Sequence, residues 1–462
     1  MRLMFLTVAA VTLVSAAPSP AQTCRPMVGS AVGVDTGVTE LIPQRCDESR
    51  NCQMFATDGK PIGEAGDSVV PGTASANGIV AVAAKRSGLQ GYMETDGNWT
   101  VAAKFRKAGP YCEERAAVQR VDSLWVYLDP KGEQIGSPWD AAEAFTEGRG
   151  LVTSYEGGSK FLHGYVDTSG KVVIPVTFAG ARLFSEGLAA VLVDGKWGYI
   201  DRDGKMVIPP RFAEADVFRG GRAVVRTGAD YGKNSGLIDK TGKFVVEPKY
   251  EQIGRVGETF WSVGGLDTTY RGNGEPPPLA RLVDADGHLV SKQAYNSFGA
   301  LQDGLMSVCR NDRCGFMDMS GKLVIPLKYK SAGDFQEGLA AVTSDGIRYG
   351  FIDRDGKLVL AARYESLGPR KEQFSPGPFV DGLAPAGCKG HWGFIDKTGS
   401  WAIPPVYRLA ESFDNGFANV EVTTGTAHLR PDGSAIDFKP AEVDAVTLPT
   451  QPCGAPLAHG KE

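Results

Sequence analysis

A Gly-aromatic-Ile-Asp segment that runs into an x-x-Gly turn recurs along most of the chain, and this recurrence limits the fold more than any other feature. Clear copies are Gly164-Tyr-Val-Asp167, Gly198-Tyr-Ile-Asp201, Gly236-Leu-Ile-Asp239, Gly315-Phe-Met-Asp318, Gly350-Phe-Ile-Asp353 and Gly393-Phe-Ile-Asp396. Weaker copies start at Gly91, Val126, Arg281 and Ala427, and a doubtful one lies near Met54. The spacing is roughly 34 to 45 residues, which is the period of a tandem array. Length therefore counts units here, not ordinary domains.

The unit around Trp197 predicts three short strands. Leu188 to Val193 is apolar and small, Asp194-Gly195 suits a two-residue turn with positive φ at both positions, and Trp197 to Ile200 returns antiparallel. Asp201-Arg-Asp-Gly204 reverses the chain again, and Met206 to Ile208 makes the third strand, ended by Pro209-Pro210. Residues 212–218 cross to the next unit, with Phe212 and Phe218 as core plugs. A sheet this small buries its apolar face only against a neighbour. The expected fold is an all-β tandem array of about ten short hairpin repeats, an open curved solenoid in preference to a β-propeller-like ring, because propellers usually hold four to eight blades.

At Trp197-Gly198 and Trp392-Gly393, each followed by an aromatic-Ile-Asp strand and its turn, the sequence resembles the WG-repeat family of bacterial proteins. The likeness extends over residues 78–436, with Phe-x-x-Gly-Leu-Ala-x-Val at 184 and 335, approximately at 379, and Val-Ile-Pro at 173, 207 and 324. His163, Ser235, Cys314 and Tyr349 stand where the Trp would be. The resemblance implies a repeat scaffold, often exported and of unassigned molecular function. It brings no catalytic residues.

Residues 1–21 read as a signal peptide: Arg2, an apolar run from Leu3 to Val14, then Ser19-Pro20-Ala21. Cleavage near Gln22 would leave a periplasmic or secreted protein; a lipid anchor at Cys24 is the less fitting alternative, for want of the small residue such a site carries. Residues 22–77 form a Cys-containing N-terminal segment with a degenerate repeat, 78–436 the array, and 437–462 a Pro-containing tail. No later run approaches the roughly 18 apolar residues of a membrane span. The formal charge of -5 is scattered, which argues against a nucleic-acid partner.

All eight cysteines follow the leader, so disulfides are expected in an oxidising compartment. Aligning Gly315 with Gly198 places Cys309 on Leu192 and Cys314 on Trp197, a cross-strand pair beside an Asn311-Asp312 turn, and hence a local Cys309–Cys314 bridge. The pairings of Cys24, Cys46, Cys52, Cys112, Cys388 and Cys453 stay open.

Asp-x-Asp-Gly at Asp201, Asp284 and Asp353 is similar to the start of a calcium loop, yet sister turns exchange the second carboxylate for Ser or Thr, which caps a turn and ligates poorly. The five histidines, His163, His288, His391, His428 and His459, are dispersed, and no His-x-x-x-His, nucleophile elbow or phosphate loop is present. No metal, cofactor or catalytic residue is expected. Asn98-Trp-Thr100 fits a glycosylation acceptor but reads as a turn. Breaks in the period fall at 260–279, 365–379 and 227–235, and insertions in repeats gather on a binding face. Trp261, Tyr270, Tyr231 and Phe374 are therefore candidate partner-binding loop residues. The functional expectation is an exported non-enzymatic scaffold for a protein or glycan of the cell envelope; the alternative is a glycan-acting enzyme with carboxylates on inserted loops.

Overall fold

The computed structural model describes residues 24–26, 34–35, 42–46, 52–56, 58–74, 78–228, 234–266, 278–365, 377–439 and 442–443. The proposed signal peptide lies outside them. Among the described residues every strand pairing is antiparallel, in separate sheets of mostly three or four strands. Eleven units follow in chain order, because the one seven-stranded sheet is two units joined where Glu365 pairs with Gly387. Among the described residues no sheet closes into a barrel and no ladder pairs the first unit with the last. No strand pairing closes the array, the open arrangement that the sequence favours, although its first and last units meet through side chains.

Unit 5, residues 180–212, shows the local logic. Leu188–Val193 pairs with Lys196–Asp201 in the register Leu192 to Trp197, around Asp194 and Gly195 at φ 49° and 75°. The next turn is capped by the Asp201 carboxylate, which accepts from the Asp203 and Lys205 amides at 3.0 and 2.9 Å. Two features differ from expectation. The third strand continues through both prolines, Met206–Phe212, since it is an edge strand and a missing N–H on the solvent side costs no ladder bond. A fourth strand, Gly180–Ala181, comes from the crossing segment and pairs with Leu192 and Val191.

Three contacts, repeated from unit to unit, carry the stacking. The aromatic of the Gly-aromatic-Ile-Asp strand meets an aromatic of the next unit edge to face: Tyr165 on Phe184, Tyr199 on Phe218 and Phe316 on Phe335, with centroids 4.7 to 4.9 Å apart. Where that residue is Tyr, its hydroxyl also donates to a carbonyl of the next unit, as Tyr165 to Arg182 O and Tyr199 to Asp216 O at 2.6 and 2.8 Å. The third contact is a carboxylate clamp. Glu113 accepts from the Glu147 and Gly148 amides, Glu147 from Gly187, Glu186 from Gly221 and Asp303 from Gly338, all within 2.6 to 2.8 Å. Each of these acids sits at φ between 51° and 54° in its own turn.

The curvature brings the two ends of the array together. Each x-x-Gly turn normally packs on the preceding unit: a Cβ on Gly242 would lie 2.8 Å from Ile208, and one on Gly356 3.2 Å from Ile325. Gly59 of unit 1 does the same to unit 11, where its Cβ would lie 2.7 Å from the Ile436 carbonyl. Arg45 binds the Asp437 carbonyl at 2.9 Å and pairs with the Glu442 carboxylate, which lowers the Glu442 pKa to about 2. The two ends thereby meet through side-chain and backbone contacts.

Disulfides fasten this frame. Cys309–Cys314 lies in the expected register, with Arg310 opposite Arg313 and a Cα separation of 4.0 Å. Cys24–Cys112 spans 88 residues and ties the N-terminal segment to unit 3, residues 107–139. Cys52 and Cys388 are disulfide-bonded as well.

A cavity where the repeat loses its tryptophan

The row of residues that ends in the eponymous Trp is the variable part of the repeat. In unit 5 it reads Gly180–Leu192–Trp197 across three strands, and the indole covers Gly180, whose Cβ would lie 3.2 Å from the ring. In unit 10, residues 383–407, the row reads Glu365–Gly387–Trp392, with the indole 2.8 Å from a Cβ built on Gly387. In unit 6, residues 214–250, it becomes Glu214–Arg226–Ser235, and in unit 7, residues 252–283, Gln252–Gly264–Ala280. Units 6 and 7, like unit 8 with Cys314 after them, have therefore lost the ring that fills this space. A cavity of about 730 Å³ opens there, lined by units 6 and 7 with Arg182 of unit 5 and Asn296 and Phe298 of the next unit.

Gly264 and Gly265 belong to its lining, Gly265 beneath the Glu251 side chain, and Trp261 and Phe298 form apolar parts of the wall. Arginines dominate the charge. Arg226 is held by Glu214 at 2.7 Å; Arg255 is held by Glu258 at 2.8 Å and its guanidinium lies 5.7 Å from the Trp261 ring. Arg182 donates to the Ala215 carbonyl at 2.7 Å and stacks 5.4 Å from the Trp197 ring. Such fixed, planar forks suit carboxylate or phosphate recognition. Of the acids that line the cavity, Glu214 is engaged by Arg226, and Glu251 accepts from the Leu266 amide at 3.0 Å.

The loop candidates fare differently. Trp261 is not on a loop: it lies in the strand Phe260–Leu266, paired with Val283, and is 3% exposed. Much of the apparent break at 260–279 is a regular hairpin, because Leu266 pairs with Pro278. Tyr231, Tyr270 and Phe374 lie outside the described residues. The histidines do not converge: His163 bonds Thr153 at 3.0 Å and burial lowers its pKa, His288 is exposed beside Asp284, and His428 is buried against Asp437 at 2.6 Å. Among the described residues no three His, Cys, Asp or Glu side chains gather in a metal-holding set. The Asp turns cap themselves: Asp284 and Asp353, like Asp201, each accept two backbone amides.

Sequence reasoning located Ser235 as a position without its Trp but not Ala280, because the copy at Arg281 is weak. The signal was the absence of a bulky residue in two adjacent units. That signal is legible only once the register is known.

The family described as WG containing repeat matches at residues 91–125, 164–197, 197–231, 236–258, 315–346, 349–375 and 392–423. The protein is thus a tandem β-repeat protein. It belongs to the WG-repeat family. No curated protein matches it. Among solved structures it is similar to a eukaryotic initiation factor, at 11% identity over 70% of this chain and 94% of that one, TM-score 0.37. It is similar also to BamB from Moraxella catarrhalis, at 11% identity over 62% and 95%, TM-score 0.28. The extracellular domain of the putative hybrid two component system BT3049 from B. thetaiotaomicron matches at 11% identity over 88% and 65%, TM-score 0.24. At these TM-scores the likenesses carry no functional argument.

Proposed function

We propose that the protein is an exported, non-enzymatic scaffold that holds a protein or glycan partner of the cell envelope in the cavity between units 6 and 7. The observation that carries this reading is the loss of the tryptophan at both Ser235 and Ala280, beside which an arginine-lined space of about 730 Å³ opens. A space of that size is in the range of ligand sites. The bridges Cys24–Cys112 and Cys309–Cys314 support an oxidising compartment, and with it cleavage of residues 1–21 and a periplasmic or secreted location. The engaged state of Glu214 and Glu251 favours binding over acid–base chemistry, which needs a carboxyl group able to exchange its proton with substrate.

The test compares capture of envelope proteins and glycans by the wild type and by Ala280→Trp, which restores the family residue over Gly264. Partners that depend on the cavity should be lost from the variant. Identical capture by both proteins would place binding elsewhere and remove the basis of this reading.

A further inference from the structure

We infer that the junction between unit 11 and unit 1 is a reversible joint, at which the array opens before any other junction does. The first ground is where the apolar core lies. Ten hydrophobic clusters fill the ten junctions between consecutive units, one to each, from Ile42, Met54 and Met93 between units 1 and 2 to Trp392, Phe413 and Leu429 between units 10 and 11. Among the described residues no such cluster joins unit 11 to unit 1. Repeats cohere chiefly by burying apolar surface against their neighbours, so this junction lacks what holds the others.

The second ground is what stands in its place. Arg45 of unit 1 donates to the Asp437 carbonyl at 2.9 Å and pairs with the Glu442 carboxylate, which also accepts from the Thr424 hydroxyl. The Asp437 carboxylate is turned inward, where it accepts from the His428 amide at 2.7 Å and lies 2.6 Å from His428 Nδ1. The Arg45 and Glu442 side chains are 18% and 20% exposed, within reach of water, and a solvated ion pair adds little net cohesion. Opening exchanges these bonds for bonds to water.

The third ground is fit. The two sides of the joint leave a cavity of about 400 Å³ between them, lined by Gln44, Val69 and Pro71 on one side and by Glu411, Phe417 and Asn419 on the other. Close-packed interiors hold few voids larger than a water molecule. Neither Cys24–Cys112 nor Cys309–Cys314 crosses the joint, and Cys52 faces Cys46 across the hairpin of unit 1. Among the described residues, then, opening breaks no ladder bond and unstacks no apolar cluster, the signature of a region that opens locally at low cost. The joint makes the array a two-state element: a partner that touches both of its sides selects the shut form, and one that needs the free face of unit 1 or unit 11 selects the open form.

Paired spin labels on the full mature chain, its native disulfides intact, read the joint. Lys60→Cys/Asp432→Cys places the labels across it, and Lys243→Cys/Asp203→Cys places them on the corresponding turns of units 6 and 5, whose junction has its apolar cluster. All four side chains are exposed. Pulsed dipolar spectroscopy should give one narrow distance for the second pair, and for the pair at the joint a short population together with a longer one. Arg45→Gln/Glu442→Gln removes the ion pair without leaving a lone charge; it should raise the longer population at least about threefold while the second pair stays narrow. Urea well below the unfolding transition should do the same to the protein that keeps Arg45 and Glu442. Labels at the joint that stay as narrow as the second pair under both treatments, or two pairs that broaden together, would overturn the inference.

Discussion

Replacing Glu113 separates two explanations for the acids in the inter-unit turns. Glu113 sits at φ 52°, where glycine is the residue of choice and an L side chain costs about 1 kcal/mol. If the turn needed only its backbone shape, Glu113→Gly would be neutral or stabilising by up to about 1 kcal/mol. The structure gives the side chain a task instead. Its two oxygens accept from the Glu147 and Gly148 amides of the next unit at 2.6 and 2.7 Å. Hydrogen bonds to a charged group contribute about 1.5–3 kcal/mol each when buried; Glu113 is half-buried, and solvent reduces the pair to about 2–3 kcal/mol in total. Glu113→Gly should then destabilise by about 1–2 kcal/mol net. Glu113→Gln, which keeps one carbonyl acceptor but not the charge, should lose about 1 kcal/mol. Urea denaturation midpoints at constant m-value measure both. A Glu113→Gly protein at least as stable as wild type would refute the clamp.

Three further outcomes follow from the same contacts. Tyr199→Phe keeps the edge-to-face contact with Phe218 and loses the bond to the Asp216 carbonyl; it should cost about 1 kcal/mol by the same assay, and units that use Phe316, Phe351 and Phe394 at this place show that the ring alone sustains the stack. Burial, aided for Tyr111 by Asp129, raises the Tyr111 and Tyr407 pKa values to about 12. The unfolded chain therefore releases these protons first, so stability should fall as pH rises through 10 to 12 and be unaffected by them below pH 9, as thermal melts across that range will read. Removing the bridge that spans 88 residues, by Cys24→Ser/Cys112→Ser, should cost about 4.5 kcal/mol on the chain-entropy account, against about 2 kcal/mol for Cys309→Ser/Cys314→Ser; equal losses would contradict it.

The hairpin of each unit was legible in the sequence because its signals are local. Asp194-Gly195 fixes a two-residue turn, that turn fixes the register, and the register places Cys309 opposite Cys314. What was not legible depends on neighbours. Gly180–Ala181 is two residues long and has no periodicity of its own; it becomes a strand only because Leu192 and Val191 present an edge to it. Pro209-Pro210 reads as a stop, and does not act as one, since whether a strand has a partner on both sides is a tertiary property. Glu113 and Glu147 look like turn residues until the next unit's amides are seen to point at them. Trp261 looked like a loop aromatic because the long connection after Leu266 obscures the pairing of Gly265 with Leu279. The cavity was the least legible feature, being a property of two small residues, Ser235 and Ala280, at positions that the family fills with an indole.

The central claim, that the seat of the tryptophan is vacant in unit 7, is tested most directly by the melting temperature of Ala280→Trp. Unit 10 shows how the ring is accommodated, since Trp392 lies over Gly387 as the indole introduced by Ala280→Trp would lie over Gly264. If the space is open, the indole buries apolar surface without displacing its neighbours, and the variant should melt at or above the wild-type temperature, with a gain of order 1–2 kcal/mol. If the space is already filled, the substitution overpacks the sheet and should cost about 1–3 kcal/mol, a lowered melting temperature that would contradict the account.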